Sequence, residues 1–333
     1  MQVVEVTTEG IQPVSDHRWS AMLDAGRYDG PGFVWVDGEA SEPEISAALD
    51  RLAHVYPAAL RHCTDRNFVP KAYAYSDHVL VVLHSPELGA GGHLHHLELD
   101  LVLRDHLLVT VHGPLNPKVD RALSFRETEA VRLRLQRGRY RPAHPFEAAH
   151  GVITELLRSQ ARLVERLAGV VGRLEMRVAE EGHDLDEPVA YLTELFSVRQ
   201  ALLSLRTMAR LTAETLGGAS EAAVNAPPEA RRLVDGLCAE ATRIGMVAEG
   251  EMESIQGVTE LYQSTSSTKM AVASERLAVV AAFTLPITAL ASVYGMNLIV
   301  NQRTQVGHLA LVLAVMAALA LGILWWARRR HWL

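Results

Sequence analysis

The sequence predicts an α/β amino-terminal domain, then long helices, then two membrane spans at the carboxy-terminal end. Three observations carry this. Leu277 to Met296 is 20 residues without a charge, and Leu309 to Ala327 is a second such run of 19. At about 1.5 Å per residue, each suits a hydrocarbon core about 30 Å thick. Between Phe146 and Leu216, apolar residues recur every three or four positions over many turns, the period of amphipathic helices. Before residue 120, short runs rich in Val, Leu and Tyr flank a stretch of helical spacing, as in a mixed α/β unit.

The composition narrows the function classes. A chain of 333 residues has room for a soluble core as well as spans. The net charge of −7 offers no basic face for nucleic acid. Cys63 and Cys238 are far apart and lack metal-ligand spacing, so they read as reduced thiols of a cytosolic domain. The opening MQVVEVTTEGIQPVSD has neither a basic start nor a long apolar run. No signal peptide is expected, and membrane insertion rests on the later segments. No nucleophile–base constellation, P-loop or dinucleotide glycine pattern occurs, so an enzyme is not expected.

Within residues 1–120, Phe33 to Asp37 reads as a strand ending at a Gly38 turn. Glu42 to Leu60 reads as a helix through Ile45, Leu49, Leu52 and Val55, with Pro43 near its start. Ala72 to Leu83 and Leu97 to Val111 read as strands. Leu97, Leu99, Leu101 and Leu103 alternate with polar neighbours, the pattern of a half-buried strand. Ser85 to Gly92 suits the turn between them. His93, His95 and His96 sit at its mouth, either as solvated strand-end residues or as part of a metal site without a cysteine.

Residues 121–227 read as a helical region. Phe125 to Gln136 is a charged helix, and Arg137 to Pro145 a basic connector, either a solvated face or a contact for anionic headgroups. Phe146 to Glu181 and Val189 to Leu216 form an αα-hairpin. From Pro228 one helix is expected through 228–276 and on into the first span, 277–297. Gly236, Gly245, Gly250 and Gly257 either permit close helix contact or break it. An outer loop (298–308) leads to the second span (309–327), which ends in Trp325 and Trp326, and to a basic tail (328–333). Lys269, Arg276 and Arg328 to Arg330 flank the spans on one side, whereas the loop holds only Arg303. This bias places both termini in the cytoplasm of a multi-pass protein of the cell's inner (plasma) membrane, surrounded there by lipid.

Counting back from Asn297, Thr288, Leu285, Ala281, Leu277 or Ala278, Ser274, Ala271, Ser267, Ser264 and Glu260 recur at steps of three or four and share a face. A lipid-facing stripe has no need of Ser and Thr. The stripe is either a dry seam between packed helices or the wall of a narrow pore on an oligomer axis. Asn297 is likewise either a helix cap or one member of a ring of amides at a pore mouth.

These residues resemble the CorA family of magnesium transport proteins. Gly295-Met296-Asn297 lies at the outer end of the first of two spans, with Pro286 and Thr288 upstream and a basic end finishing Trp332-Leu333. Glu260-Leu261-Tyr262 and Leu101 to His112 are also similar to family segments. The resemblance covers most of the chain and is strongest over 258–333. It implies a funnel-shaped homopentamer, a long stalk helix that becomes the first span, and a central pore for Mg²⁺, with Co²⁺ or Ni²⁺ as secondary ions. Gly295, Met296 and Asn297 would form the selectivity filter, with Asn297 amides and Gly295 carbonyls holding a hydrated cation by its waters. Leu277 and Leu285 would form apolar constrictions. Thr288, Ala281, Ser274, Ala271 and Glu260 would line the same axis, with Pro286 and Tyr294 structural.

Some positions depart from the family pattern. Arg303 falls near the usual loop acid, Ala271 at a lower asparagine ring, Ser274 at a methionine gate, and Gly236 at a stalk aspartate, with Asp235 beside it. Asp235, Glu240 and Glu87 are the candidates for a regulatory Mg²⁺ site. Two other readings remain: a zinc transporter of the ZntB type, proton-coupled or not, and a membrane-anchored metal sensor that conducts nothing.

Overall fold

A computed structural model describes residues 1–181, 188–222, 228–295 and 306–329. The chain divides into two units, Met1–Arg177 with Asp186–Gly257, and Val178–Leu185 with Val258–Leu333.

The first unit is built on a seven-stranded sheet. In chain order its strands are β1 (Gln2–Thr7), β2 (Gly10–Pro13), β3 (Phe33–Glu39), β4 (Lys71–Ala74), β5 (Val79–Leu88), β6 (Leu94–Arg104) and β7 (Leu107–His112). They lie in the order β2-β1-β3-β7-β6-β5-β4. Only the central β3–β7 pair is parallel. The helices α1 (Asp16–Ala25), α2 (Pro43–Ala47) and α3 (Pro57–Thr64) cover one face. There Trp19, Met22, Ile45, Leu49, Ala59 and Cys63 pack on Val34, Val82, Val102 and Val109. After α4 (Arg121–Ser124), α5 (Arg126–Gln136) and α6 (Pro145–Glu181) tie to the sheet through Glu127. Its carboxylate accepts hydrogen bonds from Ser85 Oγ (2.7 Å) and Ser159 Oγ (2.8 Å). The next helix, α7 (Pro188–Ala222), packs against β4 and β5.

Several local expectations are corrected. The helix expected over Glu42–Leu60 is broken. A π-helical turn follows α2, His54 adopts φ 50°, and α3 starts at Pro57, because a proline disfavours helix at the residue before it. Gly38 is no turn but lies inside β3, where a Cβ would come within 2.4 Å of Glu42 Oε2. Each of the two apolar runs beyond it is a hairpin, β4–β5 and β6–β7, and β5 continues through Pro86 to Leu88.

β6 is buried on both faces rather than one. Leu97, Leu99 and Leu101 fill one side, while Glu98 and Asp100 are themselves buried on the other. Glu98 accepts from the Asn67 backbone N–H (2.7 Å) and Nδ2 (2.6 Å). Asp100 is 0% exposed, and neither carboxyl oxygen has a hydrogen-bond partner among the described residues. Burial, and then the neighbouring Glu98, push its pKa well above the usual carboxylate range.

The expected αα-hairpin forms as α6 and α7. Tyr191 donates to the Leu174 carbonyl (3.1 Å), and Arg177 pairs with Glu194 (3.6 Å). The following helix, α8, runs unbroken from Pro228 to Gly295 through all four glycines and Pro286. At Gly245 a Cβ would stand 3.8 Å from Ala209 Cβ of α7, an ordinary packing distance. The last helix, α9, covers Val306–Arg329.

Candidate ion-conducting helix

From Leu277 on, α8 is apolar and mostly exposed. By length and composition it is able to cross a membrane. The apolar stretch of α9, Ala310–Ile323, is shorter. Arg329 lies over the Trp325 ring at 5.0 Å, a cation–π contact suited to an interface.

The proposed pore face lies on α8 as spaced. Glu260, Ala271, Ser274, Leu277, Ala281, Leu285 and Thr288 are all exposed, with Leu277 at 70% and Leu285 at 68%. The hydroxyls of this helix fold back on its own carbonyls. Thr284 Oγ1 donates to Val280 O and Thr288 Oγ1 to Thr284 O, each at 2.8 Å. Ser267 Oγ and Thr268 Oγ1 donate to Ser264 O. Each hydroxyl thereby spends its hydrogen and turns its lone pairs outward. Thr284 was not singled out in the sequence, although its spacing of four from Thr288 was visible there. Pro286 is half-buried and removes the donor that Ala282 O would otherwise receive, yet the helix continues. Gly295 is its last residue. Met296, Asn297, the outer loop with Arg303, and the basic tail from Arg330 lie outside the described residues, as do the side-chain surroundings of Tyr294.

The three regulatory candidates do not converge. Asp235 is exposed on α8. Glu240 binds Arg243 through two hydrogen bonds of 2.9 and 2.6 Å, which hold its carboxyl below the ordinary value. Glu87 pairs with Arg126 at 2.9 Å. Among the described residues, no group of three or more His, Cys, Asp or Glu is spaced to close on one ion. The histidines at the β5–β6 turn separate: His93 and His95 stand with ring centres 4.8 Å apart and line one cavity, whereas His96 meets His84.

Comparison with known families matches residues 30–329 to the CorA-like Mg²⁺ transporter proteins. The chain belongs to the CorA family. It is thus a divalent metal cation transporter of the membrane and not an enzyme. A putative metal ion transporter of Bacillus subtilis, YfjQ, is 24% identical over all of this chain and 98% of its own length. Two solved structures share the fold. The complete CorA magnesium transporter of Methanocaldococcus jannaschii superposes with a TM-score of 0.77 at 14% identity, covering 100% of this chain and 99% of that one. The cytoplasmic domain of ZntB from Vibrio parahaemolyticus gives 0.60 at 14% identity, covering 80% and 98%.

Proposed function

We propose that this CorA-family chain is one subunit of a homopentameric pore for passive Mg²⁺ uptake across the inner membrane, with Co²⁺ and Ni²⁺ as secondary ions. The observation that carries this reading is the position of Gly295-Met296-Asn297, directly where the exposed stripe of α8 ends. Mg²⁺ releases its inner waters reluctantly. Neutral amide and carbonyl oxygens of Asn297 and Gly295, with Met296 between them, can hold those waters without stripping them. Thr288 offers hydroxyl lone pairs farther along, since its hydrogen is committed to Thr284 O. Leu285 and Leu277 then form apolar rings that close by dewetting, and Ala281, Ser274, Ala271 and Glu260 continue the wall. An inside-negative potential supplies about 2.3 kcal/mol per charge per 100 mV, and twice that for a dication. Both termini lie in the cytoplasm, with residues 298–308 outside. Of the regulatory candidates, Asp235 is the one not bound to an arginine among the described residues, and is the best placed to meet a hydrated cation.

The test is Mg²⁺ flux into proteoliposomes. Asn297→Ala should abolish it, and unchanged flux would remove Asn297 from the filter. A second reading, zinc transport, is favoured by Arg303 standing near the position of the usual loop acid and by the likeness to the ZntB domain. Zn²⁺ flux exceeding Mg²⁺ flux and rising with a pH gradient would select it. No flux of any divalent cation from an assembled wild-type oligomer would leave the sensor reading.

A further inference from the structure

Between α3 and β4, Asn67 pins the chain over buried titratable groups that the transport reading does not use. Asn67 is 7% exposed and all four of its polar groups are engaged. Its backbone N–H and Nδ2 donate to Glu98 at 2.7 and 2.6 Å, and Nδ2 also reaches His62 O at 2.6 Å. Its Oδ1 accepts from Lys71 Nζ at 3.1 Å, and its carbonyl meets His84 Nε2 at 2.9 Å. Asp100 stands two residues beyond Glu98 on the same face of β6, opposite Val82 of β5 and Val111 of β7. We propose that Glu98 and Asp100 make residues 62–71 a pH-gated latch, closed while the Asp100 carboxyl is uncharged and opened locally, together with α3, when that carboxyl ionises.

The charged form has nothing to stabilise it in the closed arrangement. A carboxylate in an apolar core needs a counter-charge or donors, and Asp100 has no hydrogen-bond partner among the described residues. Glu98, about 6.7 Å farther along the strand at 3.3–3.4 Å per residue, adds repulsion. Arg66 and Lys71 act on Glu98. However, Arg66 donates to Pro114 O (2.6 Å) and Lys71 to Asn67 Oδ1, so both are already engaged. On α3, burial and then Asp100 and Glu98 push the Cys63 thiol up, which keeps it neutral. His62 stacks on Tyr73 with ring centres 4.9 Å apart. On β5 and β6, His84 and His96 meet edge-on at 5.9 Å, and burial lowers both.

Relief therefore comes only by admitting water, and the lid is the weakest element above the pair. α3 has eight residues and buries Ala59 and Cys63, whereas β6 and β7 are central strands. Short elements with few buried contacts open first. Burial, and then Glu98, raise the Asp100 carboxyl in the closed chain. Opening thus releases a proton and becomes easier as pH rises.

The experiment uses the full-length chain in detergent with Cys238→Ser, so that Cys63 is the remaining thiol. Its rate of modification by a methanethiosulfonate is measured from pH 6 to 9 and divided by the rate in Asp100→Asn on the same background, which cancels the titration of the thiol itself. The ratio should rise about tenfold across this range, while hydrogen exchange at Leu108–Val111 of β7 stays slow. Glu98→Gln, which removes the neighbouring charge, should move the rise to higher pH. Asn67→Ala should make Cys63 reactive already at pH 6. A ratio that does not change with pH, or protection of β7 lost in step with that of Cys63, would overturn the latch.

Discussion

In the sheet, Leu99, Leu101 and Leu108 are at most 2% exposed, whereas on α8 Leu277 and Leu285 leave 70% and 68% of their surface open. Polar groups reverse as well. The first unit buries Glu98, Asp100 and His84 of the sheet and Glu127 of α5, while the Ser and Thr hydroxyls of the distal α8 turn back on their own helix. The first region completes its core within a single chain. The second satisfies its backbone and hydroxyls internally but leaves its apolar surface for something else to cover, as a helix in lipid or among copies of itself must.

The largest effect that separates the two regions comes from the same substitution made in each. Leu101→Ala, in the sheet, should cost about 2–5 kcal/mol through lost transfer energy and a residual cavity. Leu285→Ala should change the urea midpoint by an amount within about 0.5 kcal/mol, and show itself as raised basal flux, because a smaller side chain widens the apolar ring proposed there. A large stability loss at Leu285 would mean that its surroundings are already packed.

Next in size is the pH dependence of the sheet. Burial raises the Asp100 carboxyl well above its ordinary range in the folded chain, whereas unfolded Asp titrates near 3.9. Stability from this group is complete below the unfolded value and falls as pH rises toward the folded one, by up to about 1.4 kcal/mol per pH unit. His84 runs the other way. Burial holds it at about 4, against 6.5 when free, with its Nε2 on Asn67 O at 2.9 Å. Its contribution is complete above 6.5 and is lost as pH falls toward 4. Asp100→Asn should therefore flatten the loss on the alkaline side, and His84→Gln the loss on the acid side, in denaturation followed from pH 4 to 9. Identical profiles for wild type and Asp100→Asn would show that the carboxyl reaches water.

How far each region was legible in the sequence follows the same division. The long helices and the apolar end of α8 were readable because their periodicity is local and extends over many turns. The stripe from Glu260 to Thr288 needed only steps of three and four. The sheet was harder. Two hairpins read as single runs because neither Tyr75 to His78 nor Asp105-His106 carries a glycine, and β6 looked half-buried because a carboxyl in a core is the exception. Asp100 is buried by α3 and by neighbouring strands that come from elsewhere in the chain, a fact no window of sequence contains. The His93–His95 pairing was visible as a cluster, but that His96 would point elsewhere, and that Gly89 and Asn116 would frame His95, required the register of β5 on β6.

The smallest effect tests whether α8 is open along the first unit too. Gly250 lies mid-helix, exposed, and a Cβ there would meet nothing within 4 Å. Glycine inside a helix costs about 1 kcal/mol relative to alanine. Within one chain Gly250→Ala is thus expected to raise stability by up to that amount, with no change in the mass of the detergent-solubilised oligomer. Gly92→Ala supplies the contrast. Its φ of +77° and the Ser197 Cβ at 2.4 Å make the same methyl destabilising. If Gly250→Ala instead lowered the melting temperature or split the oligomer, this face of α8 would be pressed against a neighbouring helix, and the open surface of the distal segment would extend into the soluble unit as an interface between copies.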